Sequence, residues 1–227
     1  MSEFFHNKRF PGESDAYRSK RNKLLAAEKD LRQKLEDITK LRRQLPLGGK
    51  VKEDYFFDEI RNGIVKQTKL SELLQPGKNS LIVYSFMYGP QAEAPCPMCT
   101  SFLDSADSSS PHITQRTNFV VVAKSPINRI RDWTDKRGWK NLRLLSSANN
   151  TYNSDYFSET PEGHQLPACN VFTKADSGIH HFYSTELLYT KLDGQPRHVD
   201  LLWPLWNFFD LIPEGRGTDW YPKLSYK

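Results

Sequence analysis

The sequence predicts an α/β fold: a central mixed sheet with helices on both faces, preceded by one long helix. Three observations carry this expectation. Two continuous apolar and β-branched runs, at 81–88 (LIVYSFMY) and 119–123 (FVVVA), show no polar alternation and so read as strands covered on both faces. Helical patterns stand between and after them, and strand–helix–strand alternation implies parallel pairing. A hairpin pattern around residue 176 then adds antiparallel strands.

The elements follow in chain order. Residues 15–45 read as one helix, with Asp15 placed to cap its start and Pro46 and Gly48-Gly49 placed to stop it. Tyr17, Leu24, Leu31, Ile38 and Leu45 recur every seventh position, widened by Leu35 and Leu41 into an apolar seam on a charged rod. Asp30–Lys34, Glu28–Arg32 and Glu36–Lys40 are i,i+4 pairs with the acid first, the favourable order. The seam suits packing on its own domain or on a second copy, a homodimer through the N-terminal helix. Residues 1–50 carry 13 Lys and Arg against 7 Asp and Glu, while the other 177 carry 19 against 20, so the net charge of +5 belongs to this segment. Its charges are mixed in sign and spaced for pairing along a helix, not clustered on one face, so no nucleic-acid partner is expected.

Tyr55-Phe56-Phe57 reads as a short strand in a hairpin-like opening, and 70–79 as a helical turn running into a loop. The strand at 81–88 ends at Gly89-Pro90. A helix is expected over 96–107, broken by Ser108–Ser110 and Pro111, with a further helical turn through Ile113 and Gln115. After the strand at 119–123, Ser125 is placed to cap a helix with Pro126 first, Ile127, Ile130 and Trp133 on its apolar face, and Gly138 closing it. Residues 142–145 form a third apolar run. Residues 146–168 are rich in Asn, Ser and Thr and read as an extended loop placed to shape a pocket. A hairpin joins 170–173 to 179–183, and a last helix spans 198–209, restarted or kinked by Pro204. Four or five strands in this order, with helices on both faces, follow the thioredoxin-like plan. Residues 1–50 would form the helical extension and 51–227 the thioredoxin-like domain.

Composition narrows the class. With 37% hydrophobic and 12% aromatic residues, the 227-residue chain can bury a core. No run approaches the roughly 18 apolar residues of a membrane span, and the first residues lack the apolar stretch of a secretory signal. Three cysteines are too few for a disulfide framework, which points to a reducing, cytoplasmic setting without membrane partners.

One constellation carries chemistry: Cys96-Pro97-Met98-Cys99. The C-x-x-C spacing serves either a metal ligand pair or a redox dithiol, and buried inert thiols are the third reading. Its place, after a buried strand and at the start of a helix, favours the dithiol. Unsatisfied N–H groups at a helix N-terminus stabilise a thiolate, and Pro97 suits a first turn that needs no N–H partner. Cys96 would then be the attacking thiolate and Cys99 the more buried resolving thiol. A structural zinc needs about four ligands, and no second C-x-x-C exists, so no metal is assigned and no cofactor is implied. Pro167 is the candidate for the cis-proline that thioredoxin-like folds place beside the dithiol, although it stands a residue or two further from the expected strand than usual. Cys169, two residues on, is either a small strand residue or a third redox thiol. His180 and His181 would point to opposite faces of a strand, which argues against a metal pair. Trp203, Trp206, Phe208 and Phe209 read as core filling and as candidates for a pocket lining. Phosphate-loop, α/β-hydrolase and zincin motifs are absent.

The sequence resembles, over nearly its whole length, a thioredoxin-like family catalogued as domain of unknown function eight-nine-nine. The resemblance is carried by Leu24-Leu-Ala-Ala-Glu-Lys-Asp-Leu31, Leu45-Pro46, Tyr55-Phe-Phe57, Ser85-Phe-Met-Tyr-Gly-Pro90, Cys96-Pro-Met-Cys99 and Phe119-Val-Val-Val122. Ser146-Ser-Ala148, His181-Phe-Tyr-Ser-Thr185 and Asp210-Leu-Ile-Pro-Glu-Gly-Arg216 complete it. It implies a thiol–disulfide oxidoreductase distantly related to peroxiredoxins, acting on protein or small-molecule thiols and disulfides. The chain departs from thioredoxin at Pro95, where that family has tryptophan, and in strand 81–88, where Tyr84 and Tyr88 stand instead of a buried carboxylate. It departs from peroxiredoxins in having Ala92 and Cys96 at the positions seven and three before Cys99, where they carry Pro and Thr. A peroxide reductase and a non-catalytic scaffold or redox sensor are therefore the alternative functions.

Overall fold

In a computed structural model, residues 6–194 and 197–226 are described, and the chain divides into two compact units, Met1–Pro46 and Leu47–Lys227. The first unit is dominated by helix α1, Asp15–Arg43. Its cap is Ser14 and not Asp15: the Ser14 hydroxyl accepts the Tyr17 N–H at 3.1 Å, because the capping residue must lie one step outside the helical backbone. Ion pairs form at Arg32–Glu36 and Arg21–Glu28. Tyr17, Leu24, Leu31, Ile38 and Leu41 are exposed along the rod.

The second unit is built on a seven-stranded sheet of order β2-β1-β5-β4-β3-β6-β7. Strands β1, Phe56–Arg61, and β2, Ile64–Lys69, form a hairpin across Asn62-Gly63. Both turn residues have positive φ, the requirement of a type I′ turn. A 3₁₀ turn, Leu70–Leu73, leads to β3, Ser80–Phe86. Helix α2, Pro97–Ile113, connects β3 to the parallel strand β4, Asn118–Ala123, and α3, Ile127–Arg137, connects β4 to β5, Leu144–Ser146. After the short α4, Tyr152–Asp155, the hairpin β6, Ala168–Ala175, and β7, Gly178–Ser184, returns antiparallel to β3. A 3₁₀ turn at Asp200–Leu202 and helix α5, Pro204–Phe209, follow, with Pro204 in the first turn as its missing N–H allows. The β3–α2–β4 crossover with β6 and β7 on the far side of β3 is the thioredoxin-like plan.

Alternate side chains of β3 and β4 feed two cores on opposite faces. Tyr84, Phe86, Phe119 and Val121 join Phe102 and Leu103 of α2, Ile130 and Trp133 of α3, and Trp203 and Trp206. Leu81, Val83, Val120 and Val122 join Phe57, Leu70, Leu73, Tyr152 and Phe172. Burial on both sides explains the unbroken apolar runs.

Several local expectations are corrected. The sheet has seven strands instead of four or five, the polar strand β2 being the one that lacks an apolar signature. Helix α2 runs through Ser108–Ser110 and Pro111, because a proline in a last turn displaces one bond only. Ser125 does not cap α3; its hydroxyl donates to the Gly89 carbonyl at 3.0 Å, and Pro126 takes the cap position. Among the described residues no peptide bond is cis, so Pro167 is not a cis-proline. No described helix is long and apolar enough to cross a membrane.

Candidate active site

The dithiol is placed by the loop between β3 and α2. The Cys96 N–H donates to the Met87 carbonyl at 3.0 Å, and the Ser125 N–H donates to the Tyr88 carbonyl at 2.9 Å. Arg129 of α3 lies 4.8 Å over the Tyr88 ring and donates to the Pro90 carbonyl at 2.7 Å and to that of Ala92. The loop is thus tied to α3 as well as to its own strand. Cys96 occupies the cap of α2, and the Thr100 N–H and hydroxyl both return to its carbonyl, at 2.9 and 3.0 Å. Cys96 is half-buried and Cys99, one turn inside, is 3% exposed.

The two sulfurs are electrostatically unequal. The Cys99 thiol donates to the Cys96 sulfur, and this lowers the Cys96 pKa against the opposing effect of burial. The backbone N–H groups of Cys99 and Met98 and the Tyr221 hydroxyl add to the lowering, which brings Cys96 to about 6. The same bond, with burial, pushes Cys99 well above the ordinary thiol range; the Tyr84 hydroxyl at its sulfur acts in the opposite sense. Tyr84 and Tyr221 are themselves pushed up, first by burial and then by the neighbouring thiols. Each sulfur therefore has one tyrosine hydroxyl that holds its own proton.

Both cysteines open on one cleft of about 560 Å³. Pro167 lies in its wall beside them, although its peptide bond is trans. Pro97 holds the first position of α2. Cys169 is buried in β6, opposite Tyr84 in the strand register, with its N–H donated to the Thr185 hydroxyl at 3.1 Å. It belongs to the same core as Cys99 but not to the cleft lining. The polar stretch 146–168 gives the cleft only Pro167; its other face is made by residues between Leu188 and Tyr221. Trp203 and Trp206 do line it, as their crowding in the last helix foreshadows. Tyr221, Arg197, His198, Asp200 and Arg216 carry no motif that marks them, apart from Arg216 at the end of the Asp210–Arg216 stretch.

The histidines separate as a strand requires. The His180 ring bonds to the Gly48 carbonyl and Ser177, whereas the His181 ring stacks on Tyr156 and bonds to Asn170. Among the described residues no group of three or more His, Cys, Asp or Glu is arranged to hold a metal ion.

The family model described as "Bacterial protein of unknown function (DUF899)" matches residues 7–226. The chain belongs to the DUF899 family. No curated protein matches it. Among solved structures, the DUF899 chain is similar to peroxidoxin BcpB from Mycobacterium tuberculosis, at 16% identity and a TM-score of 0.47, over 70% of this chain and 94% of that one. It is also similar to thioredoxin peroxidase I of Plasmodium yoelii, at 14% identity and a TM-score of 0.46, over 78% of this chain and 100% of that one. A third is a mutant form of peroxiredoxin Q from Xanthomonas campestris, at 14% identity and a TM-score of 0.42, over 63% and 87% of the respective chains.

Proposed function

We propose that this DUF899 protein is a thiol–disulfide oxidoreductase in which Cys96 attacks and Cys99 resolves. One observation carries the reading. A half-buried thiol at the N-terminus of α2 stands one turn before a buried thiol, its pKa is lowered by that thiol and by the backbone of the first turn, and both face a single cleft. The Cys96 thiolate attacks one sulfur of a substrate disulfide, forming a mixed disulfide and releasing a substrate thiolate. That thiolate takes the Cys99 proton. The Cys99 thiolate then attacks Cys96, closing the protein disulfide and releasing the second substrate thiolate. Tyr84, whose hydroxyl keeps its proton, donates to Cys99 and stabilises the charge that develops there. The cytoplasm is the proposed setting, since a reducing compartment keeps such a dithiol ready.

The test is the pH dependence of Cys96 alkylation, with the dithiol titrated against glutathione. A depressed pKa means that the thiolate persists as pH falls and is lost only below about 6. Alkylation should therefore rise through about pH 6 and be flat above neutrality. Tyr221→Phe should move the midpoint upward, because one donor to the thiolate is gone. A midpoint near the free-cysteine value of about 8.5 without a reversible disulfide would overturn the reading and leave a non-catalytic binding protein.

A further inference from the structure

We propose that the cleft beside the dithiol takes an uncharged aromatic disulfide whose ring carries an amide-like group, in preference to its carboxylate analogue. As a statement about substrate this rests on the redox reading above.

The walls are aromatic. The Trp203 and Trp206 rings meet edge to face at 5.5 Å, and Trp206 meets Trp220 in the same way at 5.8 Å. The cations of the cleft are already matched. Arg216 pairs with Asp210 at 2.6 Å and Asp200 at 2.8 Å, and Arg197 pairs with Asp200 at 2.5 Å and Asp210 at 3.4 Å. Arg216 also sits 5.5 Å over the Trp206 ring. Two guanidinium groups thus face two carboxylates, and Asp193 adds a further negative charge to the lining. An anionic ligand meets no uncommitted cation there and pays for its desolvation without compensation.

Two polar atoms of the same wall are unpartnered. Trp203 is 3% exposed and its indole N–H has no acceptor, a costly state for a buried donor. His198 Nε2 also has no partner, while the ring bonds to the backbone of Pro167. Burial lowers the His198 pKa, against the pull of Asp200, so the ring is neutral and Nε2 is a lone pair seeking a donor. An amide carries both kinds of partner, a carbonyl that can accept from an indole N–H and an N–H that can donate to an imidazole lone pair. A carboxylate can accept but has nothing to donate. Both atoms are shielded from solvent in this conformation, so an occupant reaches them by displacing the wall.

The proposed reaction is balanced. The dithiol, with Cys96 as thiolate and Cys99 as thiol, reacts with one aryl disulfide. It gives the Cys96–Cys99 disulfide, one aryl thiolate and one aryl thiol, the disulfide being reduced and the protein oxidised.

The matched probes are 4,4′-dithiobis(benzamide) and 4,4′-dithiobis(benzoate), which differ only in the end group. Binding is read from tryptophan fluorescence on the Cys96→Ser/Cys99→Ser protein, where no exchange occurs in the cleft; Cys96→Ser alone serves if the double variant does not fold. The benzamide should bind at least about tenfold more tightly than the benzoate. Equal affinity, or preference for the benzoate, overturns the inference whatever the turnover. His198→Phe should remove about fivefold of that preference by weakening the benzamide alone. If that variant is unfolded, the two probes on the intact wall still decide. Single-turnover reduction by the wild-type protein, each rate divided by that of dithiothreitol with the same probe, should favour the benzamide similarly. If the binding preference holds but neither probe is reduced, the ligand class stands and the redox reading falls.

Discussion

Cys96→Ser is expected to reduce no disulfide above the rate seen without protein, whereas Cys99→Ser should attack once and stop. The asymmetry follows from the geometry of the pair. Cys96 alone combines a half-buried position at the cleft with donors from the α2 terminus and Tyr221. Cys99 also borders the cleft but is only 3% exposed, so a substrate is expected to meet Cys96 first. Without Cys99 the mixed disulfide has no internal thiol to open it. Intact mass spectrometry of Cys99→Ser after exposure to a disulfide should therefore show one substrate half attached per chain. Multiple turnovers by Cys99→Ser would instead mean that a second substrate thiol resolves the intermediate. Cys169→Ser should leave turnover unchanged, because Cys169 lies in the β6 core and not in the cleft lining. Loss of activity in that variant would assign it a redox part.

Asp107→Ala should be among the most destabilising substitutions in the chain. Asp107 lies on α2 at 9% exposure, and its Oδ1 accepts the N–H groups of Lys140, Asn141 and Leu142 at 3.0, 2.8 and 3.1 Å. Its Oδ2 also accepts from the Asn141 side chain at 3.3 Å. One carboxylate thus closes the turn between α3 and β5 and ties it to α2. Its removal leaves three backbone donors without their acceptor, at about 1–3 kcal/mol for each that water cannot reach. A loss of about 3 kcal/mol or more is expected, equivalent to a fall in Tm of roughly 6–12 °C for a unit of this size. Asp107→Asn should cost less, since an amide oxygen still accepts. Chemical denaturation gives the free energy directly, and a change below about 1 kcal/mol would show that the turn is held by other contacts. The Cys96 alkylation midpoint should not move, because Asp107 sits more than two turns along α2 from the dithiol.

Burial on two faces made β3 and β4 readable, since their apolar runs admit few other structures, and the strand-to-helix junction made the placement of Cys96 and Cys99 readable with them. Other features follow rules that composition hides. β2 has only Thr68 buried, so it carries no hydrophobic signature, and only the Asn62-Gly63 pair could have marked it. Ser125 has the sequence of a cap but is drawn away by the Gly89 carbonyl, a partner thirty-six positions earlier. The cleft was the least legible part. Tyr221 donates to a sulfur from the other end of the domain, and the Arg197, Asp200, Asp210 and Arg216 cluster forms only once the segment after β7 has folded back. Short-range patterns report on the dithiol, and long-range closure decides what it meets.

The position of β3 also bears on how the protein acquires its structure. β3 takes β4 as one neighbour after a single helix, but its other neighbour, β6, comes about ninety residues later, with Ser80 facing Thr173. Pairings over such distances raise the contact order and slow folding toward the millisecond-to-second range. Through that interval Cys96, Cys99 and Cys169 belong to a chain whose strands are not yet in register, and any two of the three can meet. Refolding under oxidising conditions should accordingly trap disulfides to Cys169, while refolding with excess reductant should not. The late arrival of β6 thus gives a reductant a part in maturation that is separate from any chemistry at the finished site.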